Sequence, residues 1–217
     1  MGRLLSNIYK FSTRNLSKNA FLEHAALNDA DFLTSREIPN YCPPIRGFTS
    51  SLKHKDIYCC IGSFLGSNYT VLHRELNDKI FIIVHISLSS LSNMRHCYIL
   101  HNSTSNAIFE RMMSLHPHHN YLPISPKLGF PPSFNKDFSI LTKPADFLHW
   151  QNIINRDLIK IIETPKVHYI HEINGKDLYV YSYYKDAPKG KTVDAEDAKT
   201  KIKSVTKDIL VYLLMVL

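Results

Sequence analysis

The sequence predicts an α+β protein built on a mainly antiparallel sheet, with flanking N-terminal and C-terminal helices. Three observations carry this. Residues 56–101 hold successive runs rich in β-branched and aromatic residues, the composition that suits a pleated, half-buried surface. Residues 167–184, "VHYIHEINGKDLYVYSYY", hold two more such runs around Asn174–Gly175, the preferred pair for a two-residue hairpin loop of type I′. Apolar residues at helical spacings of three and four occur instead at the two ends and in residues 146–163.

Composition bounds the function classes. The 217 residues are 44% hydrophobic and 21% charged, enough for a folded core. With only 7 glycines, glycine-rich phosphate loops are disfavoured. The net charge of +7 suits an acidic partner, either lipid headgroups or nucleic acid. No arginine-rich tract or zinc-finger spacing is present, so a nucleic-acid partner is not favoured.

From the N-terminus, residues 1–38 form a basic helical segment. Leu5, Ile8, Ser12, Leu16 and Phe21 lie roughly along one stripe, flanked by Arg3, Lys10, Arg14 and Lys18, and the first 22 residues contain no acid. Such a stripe can lie on an anionic membrane, act as a mitochondrial targeting segment or pack on its own domain. "MGRLLS" also fits the bare myristoylation pattern. The helical reading continues through "FLEHAALNDADFLTSREIPNY" to a break at Pro39. A proline- and serine-bearing loop follows.

The main α+β domain spans residues 56–184. "DIYCCIGSF", "NYTVLHREL" and "IFIIVHISL" read as three strands, the last two joined at "LNDK". "HCYILHNSTSN" supplies a fourth, and "NAIFERMMSL" a short helix ending before Pro117. The segment "HPHHNYLPISPKLGFPP" is irregular. "KDFSILTK" is a strand, and Pro144 and Asp146 open a helix whose Ile153, Ile154, Leu158, Ile161 and Ile162 share a face. The Asn174–Gly175 hairpin closes the domain.

Residues 193–217 form the last helix, with Asp194 as N-cap and Glu196 and Asp197 suiting the positive end of the dipole. From Ile209 to Leu217 it is apolar all round, including Leu210, Leu213 and Leu214. A helix greasy on every side has to be buried in protein or lipid. Nine residues are well short of the roughly 20 that span a bilayer. A shallow membrane anchor, a partner interface, the start of a longer span and the domain core are all open.

The order of "IGSFLGSNYTV", "RHCYILHNSTSN" and "SFNKDFSILTKPADFLHWQNIINRDLIKIIE…VHYIHEINGKDLYVYS" resembles a family of uncharacterised proteins from Saccharibacteria and related candidate-phylum bacteria. More distantly it is similar to a bacterial domain of unknown function found beside transmembrane segments. The resemblance covers about Ile57 to Ser182, with Phe134 and Phe138 in the paired aromatic positions and Asn174 to Tyr181 in the closing hairpin. The chain departs from it at "LNDK" and at Arg95. The resemblance implies the fold and supplies no catalytic residues.

Candidate chemistry is sparse. His116, His118 and His119 could converge on zinc, but no carboxylate or cysteine adjoins them and no helical His-x-x-x-His is present. His73, His85, His96 and His101 lie in or near strands and could meet across a sheet. Of Cys42, Cys59, Cys60 and Cys97, the adjacent pair Cys59 and Cys60 must point to opposite faces of a strand, so they cannot share a site. Buried reduced thiols are the expectation. Asp137, Asp146 and Asp157 sit on different elements. "KDLYVYSYYK" mixes tyrosine and lysine as some single-strand RNA binders do, though sheet packing explains the tyrosines more simply.

The sequence therefore predicts a non-enzymatic intracellular binding or scaffold domain, cytoplasmic and peripheral on the inner membrane face, with an unidentified protein partner and no cofactor. Membrane contact is assigned to Ile209, Leu210, Leu213, Leu214 and Leu217, assisted by Arg3, Lys10, Arg14 and Lys18. The alternatives are a histidine-based metal-dependent enzyme and, after it, a nucleic-acid-binding protein.

Overall fold

The computed structural model describes residues 17–42, 45, 47–64, 66–76, 79–87, 93–101, 120–124, 132–153 and 169–184. The expected helix at 106–115, the His116–His119 loop, the continuation beyond Ile153 and the last helix lie outside these residues, as do residues 1–16. Among the described residues the fold is α+β, with a mainly antiparallel sheet of nine strands and short helices. The described residues divide into two compact units, one holding residues 17–85 and 182–184 and the other residues 86–181.

In the first unit, helix α1 is described over residues 17–28. It buries Ala20, Phe21, His24 and Ala25 and turns Lys18, Leu22 and Leu27 outward. It does not run on to Pro39. Asp29 takes a left-handed conformation (φ 49°), and the Ala30 amide donates to the Ala25 carbonyl at 3.0 Å. This closes the helix in a Schellman-type turn without glycine, a stop that the residue type hides. Strand β1 follows at once (Asp31–Thr34). Glu37 then caps the turn, accepting from the Thr34 amide at 2.8 Å and the Thr34 hydroxyl at 2.7 Å. Pro39 sits in the first turn of the short helix α2 (Ile38–Tyr41), where its missing N–H costs nothing.

A 3₁₀ turn (Phe48–Ser51) leads into β2 (His54–Phe64), β3 (Ser67–Leu76) and β4 (Lys79–Ser87), ordered β1-β2-β3-β4. These match the three expected strands. Arg74 of β3 is buried and grips Asp56 of β2 through two bonds of 2.7 and 2.9 Å, with a third to Thr49 Oγ1 at 2.9 Å. A fork–fork pair of this kind leaves little of the guanidinium's charge unmet. Gly62 lies opposite Tyr69, and a Cβ there would meet the Tyr69 ring at 2.6 Å, so only glycine fits beneath it. The Tyr69 hydroxyl lies 3.2 Å from His24 Nε2, and Asn28 Nδ2 lies 3.0 Å from His24 Nδ1. This polar string ties α1 to the sheet.

The second unit orders its strands β9-β8-β5-β7-β6: β5 (Cys97–His101), β6 (Leu122–Pro123), β7 (Phe138–Thr142), β8 (Ile170–Asn174) and β9 (Asp177–Tyr184). Its core includes Tyr98, Ile99, Ile140, Trp150, Ile173 and Val180. The segment before β7 is a short helix, α3 (Pro132–Asp137), with its proline at the start, and it takes in Lys136 and Asp137, which open the strand expected from sequence. Phe134 on α3 and Phe138 on β7 stack with centroids 5.1 Å apart. The expected helix after Pro144 is present as a 3₁₀ turn (Pro144–Asp146) leading into α4 (Phe147–Ile153).

The closing hairpin is present with a corrected turn. Asn174 pairs with Asp177, so the loop is Gly175–Lys176, one residue later than expected. Gly175 has φ 61°, and Lys176 is not among the residues with positive φ. That is the signature of type II′, with glycine first, whereas type I′ needs both residues left-handed. The Gly175 amide also donates to the Met94 carbonyl at 3.1 Å.

Candidate functional site

Among the described residues, the densest polar constellation is in the second unit, around Glu172. Its strand, β8, is buried on both faces, so the carboxylate is carried into the core, 2% exposed. A carboxylate there survives only if its oxygens are met by donors. Register supplies them. Tyr98 of β5 lies directly opposite Glu172, and Tyr181 of β9 lies one diagonal step away on the same face. Tyr181 donates to Glu172 Oε2 at 2.6 Å, and Tyr98 to Oε1 at 3.3 Å. His96, just before β5, reaches Oε1 with Nε2 at 2.9 Å. Its Nδ1 meets the Tyr121 hydroxyl at 2.8 Å. These partners are all satisfied when the His96 proton sits on Nε2 and Nδ1 accepts from Tyr121.

The chain of hydroxyl, imidazole and carboxylate has the order used to activate hydroxyl nucleophiles. Its electrostatics oppose that use. Burial pushes the Tyr121 phenol up, with Asp146, Cys97 and Glu172 adding to it. Burial and the Glu172 charge likewise push Tyr98 and Tyr181 well above the usual phenol range. Phenols held this way stay protonated and donate. The cluster therefore works as a fastener joining β5, β8, β9 and the segment before β6.

Lys18 is exposed on α1 beside Leu22, whose exposure is 42%; Leu27 on the same helix is 76% exposed. Arg3, Lys10, Arg14, Ile209, Leu210, Leu213, Leu214, Leu217, His116, His118 and His119 lie outside the described residues. Of the strand histidines, His96 joins the Glu172 cluster and His73 is buried in β3 beside the Tyr58 ring. Among the described residues no three His, Cys, Asp or Glu side chains come together as a metal site. Tyr179 and Tyr181 are buried and stack on each other, so they offer no platform for bases. Asp146 lies 3.9 Å from Arg95 rather than beside another carboxylate.

Sequence reasoning did not find the Glu172 cluster. The one available signal was an acid inside the apolar run "YIHEI". A charged residue in a strand that reads as buried requires partners, but nothing in one sequence says which.

No protein-family model and no curated protein matches the chain. Among solved structures, the chain is similar to the crystal structure of the mycobacterial trehalose monomycolate transport factor A, TtfA. The match has 8% identity and a TM-score of 0.49, covering 92% of this chain and 94% of that one.

Proposed function

We propose that the protein is a non-enzymatic binding or scaffold domain that docks on an anionic membrane surface. The observation that carries this is the outward side of α1. Leu22 and Leu27 stand in solvent with Lys18, on a helix that continues a sequence segment bearing Arg3, Lys10 and Arg14 and no acid before Glu23. Apolar side chains with flanking cations are what an interfacial helix presents to lipid headgroups. Among the described residues no helix is long and apolar enough to cross a membrane. Ile209 to Leu217 is assigned as a second, shallow point of attachment, and the resemblance to a domain found beside transmembrane segments fits the same location.

The test is flotation with liposomes of phosphatidylglycerol and phosphatidylcholine against phosphatidylcholine alone. Binding to the anionic vesicles, weakened by Leu22→Glu with Leu27→Glu, is the expected result. Equal recovery with both vesicle types, or none, overturns the reading. Deletion of residues 209–217 that leaves flotation unchanged removes that segment from the contact. The histidine-based metalloenzyme would instead show stoichiometric zinc, iron or manganese in protein purified without a tag.

A further inference from the structure

The sequence separates Cys42 from Cys59 by a proline-bearing loop, and the fold brings them together. Cys59 lies in the middle of β2, fully buried, paired with Leu33 of β1 and Leu72 of β3. Cys42 is the residue that ends α2, its amide bonded to the Ile38 carbonyl, and it is only half-buried. The two sulfurs are 3.4 Å apart, with the Cys59 thiol donating to Cys42 Sγ. Both thiols are reduced. The neighbouring Cys60 points to the opposite face and donates to the Phe21 carbonyl at 3.3 Å. Cys97 is buried in the other unit.

We propose that Cys42 and Cys59 form a reversible dithiol–disulfide centre that hydroperoxides oxidise, with Cys42 as the attacking sulfur and Cys59 as the resolving one. The roles follow from position and from the hydrogen bond. Cys42 is the sulfur that solvent reaches, and it accepts the bond from Cys59, so the contact favours the thiolate at Cys42 rather than at Cys59. That bond draws the Cys42 thiol down from its ordinary range; burial and Asp56 act against it, and Arg74 assists. The same bond and burial push Cys59 up. Burial pushes Cys60 up to about 12, and Cys97 well up, which leaves both inert.

The chemistry balances with one peroxide. The Cys42 thiolate attacks a peroxide oxygen; the S–O bond forms, the O–O bond breaks, and the departing hydroxide, or alkoxide from an organic hydroperoxide, takes the proton that Cys42 released and leaves as water or alcohol. Cys59 sulfur then attacks Cys42 sulfur; the S–S bond forms, the S–O bond breaks, and hydroxide leaves with the Cys59 proton as the second water. Two thiols lose two electrons and the peroxide gains them. Closing the bond requires the sulfurs to approach to about 2.05 Å. Cys59 is held by strands on both sides, so the end of α2 makes the movement. The product clips the end of α2 to β2.

The experiment treats the full-length reduced protein with stepwise hydrogen peroxide and follows alkylatable thiols and intact mass. The expected result is loss of two of the four thiols and two hydrogen masses, reversed by dithiothreitol. Tryptic peptides 37–46 and 56–74 become linked, and they still do so in Cys60→Ser, which separates Cys59 from its neighbour. In Cys59→Ser, Cys42 stops at a sulfenic acid that dimedone traps. Cys42 and Cys59 remaining as alkylatable as Cys60 and Cys97 in the wild-type chain would overturn the proposal. So would a link that vanishes in Cys60→Ser or that joins two chains.

Discussion

His171 shows what burial does to a single titratable side chain. It sits on β8 with its ring enclosed, and that enclosure lowers its pKa from 6.5 to about 4, partly offset by the Ile99 backbone carbonyl, which accepts from the ring. The folded state keeps it neutral while the unfolded chain takes a proton below about 6.5. Its contribution is therefore complete above pH 6.5 and is lost as pH falls toward 4, by about 3 kcal/mol at most. Burial lowers His24 in the same direction. Urea unfolding at pH 7.5, 6 and 5 should show falling stability, and His171→Phe should flatten the lower part of that dependence. An unchanged slope in the variant would show that His171 titrates normally. Glu172 is the complementary case, an acceptor met by three donors. Glu172→Gln turns an amide toward groups that need an acceptor and should cost about 2–4 kcal/mol, read as a lower denaturant midpoint at constant m value. Loss of under half a kcal/mol would mean that the cluster relaxes around the change.

At the scale of elements, the end of α1 gives the sharpest expectation. Asp29 is held left-handed at φ 49°, a conformation that costs a non-glycine residue about 1 kcal/mol. Asp29→Gly should thus raise stability by about 0.5–1 kcal/mol, visible as a higher thermal midpoint; a decrease would show that the aspartate side chain contributes to the turn. The same residue explains a misreading. Without a glycine to mark the stop, "NDADFLTS" continues a helical pattern, and β1 stays hidden because a four-residue edge strand gains its identity from pairing with Tyr58–Ile61. Long central strands behave differently. β2, β3 and β4 were legible because "IYCCIGSF", "YTVLHREL" and "IFIIVHIS" carry β-branched and aromatic residues throughout. The hairpin was legible too, to within one residue, because Gly175 can serve either primed turn. Non-local pairs were not legible. Glu172 meets Tyr98 and His96 across 74 and 76 residues, and Cys42 meets Cys59 across 17 with a loop between them. No periodicity records such meetings, which register and the course of a loop create.

For the whole molecule, the excess of positive charge and the exposed apolar side chains of α1 make separable contributions, and salt separates them. The net charge is +7, and the cations of the first 22 residues have no acid among them. Near an anionic surface each such cation is worth about 1 kcal/mol, and that attraction decays within about 8 Å at physiological ionic strength and about 3 Å at 1 M. Contacts by Leu22, Leu27 and the Ile209–Leu217 segment persist in salt, because burial of apolar surface is not screened. Flotation on phosphatidylglycerol vesicles should therefore fall steeply between 0.1 and 1 M sodium chloride, values chosen to bracket those screening lengths, and level off above zero. Lys18→Ala should weaken the low-salt binding about fivefold and leave the high-salt plateau unchanged. Leu22→Ser with Leu27→Ser, which removes apolar surface without adding charge, should leave the salt-sensitive part unchanged and lower the plateau. A curve that runs to zero in both proteins would make the contact purely electrostatic, and retention on heparin with the same steep slope would then point to nucleic acid rather than lipid as the acidic partner.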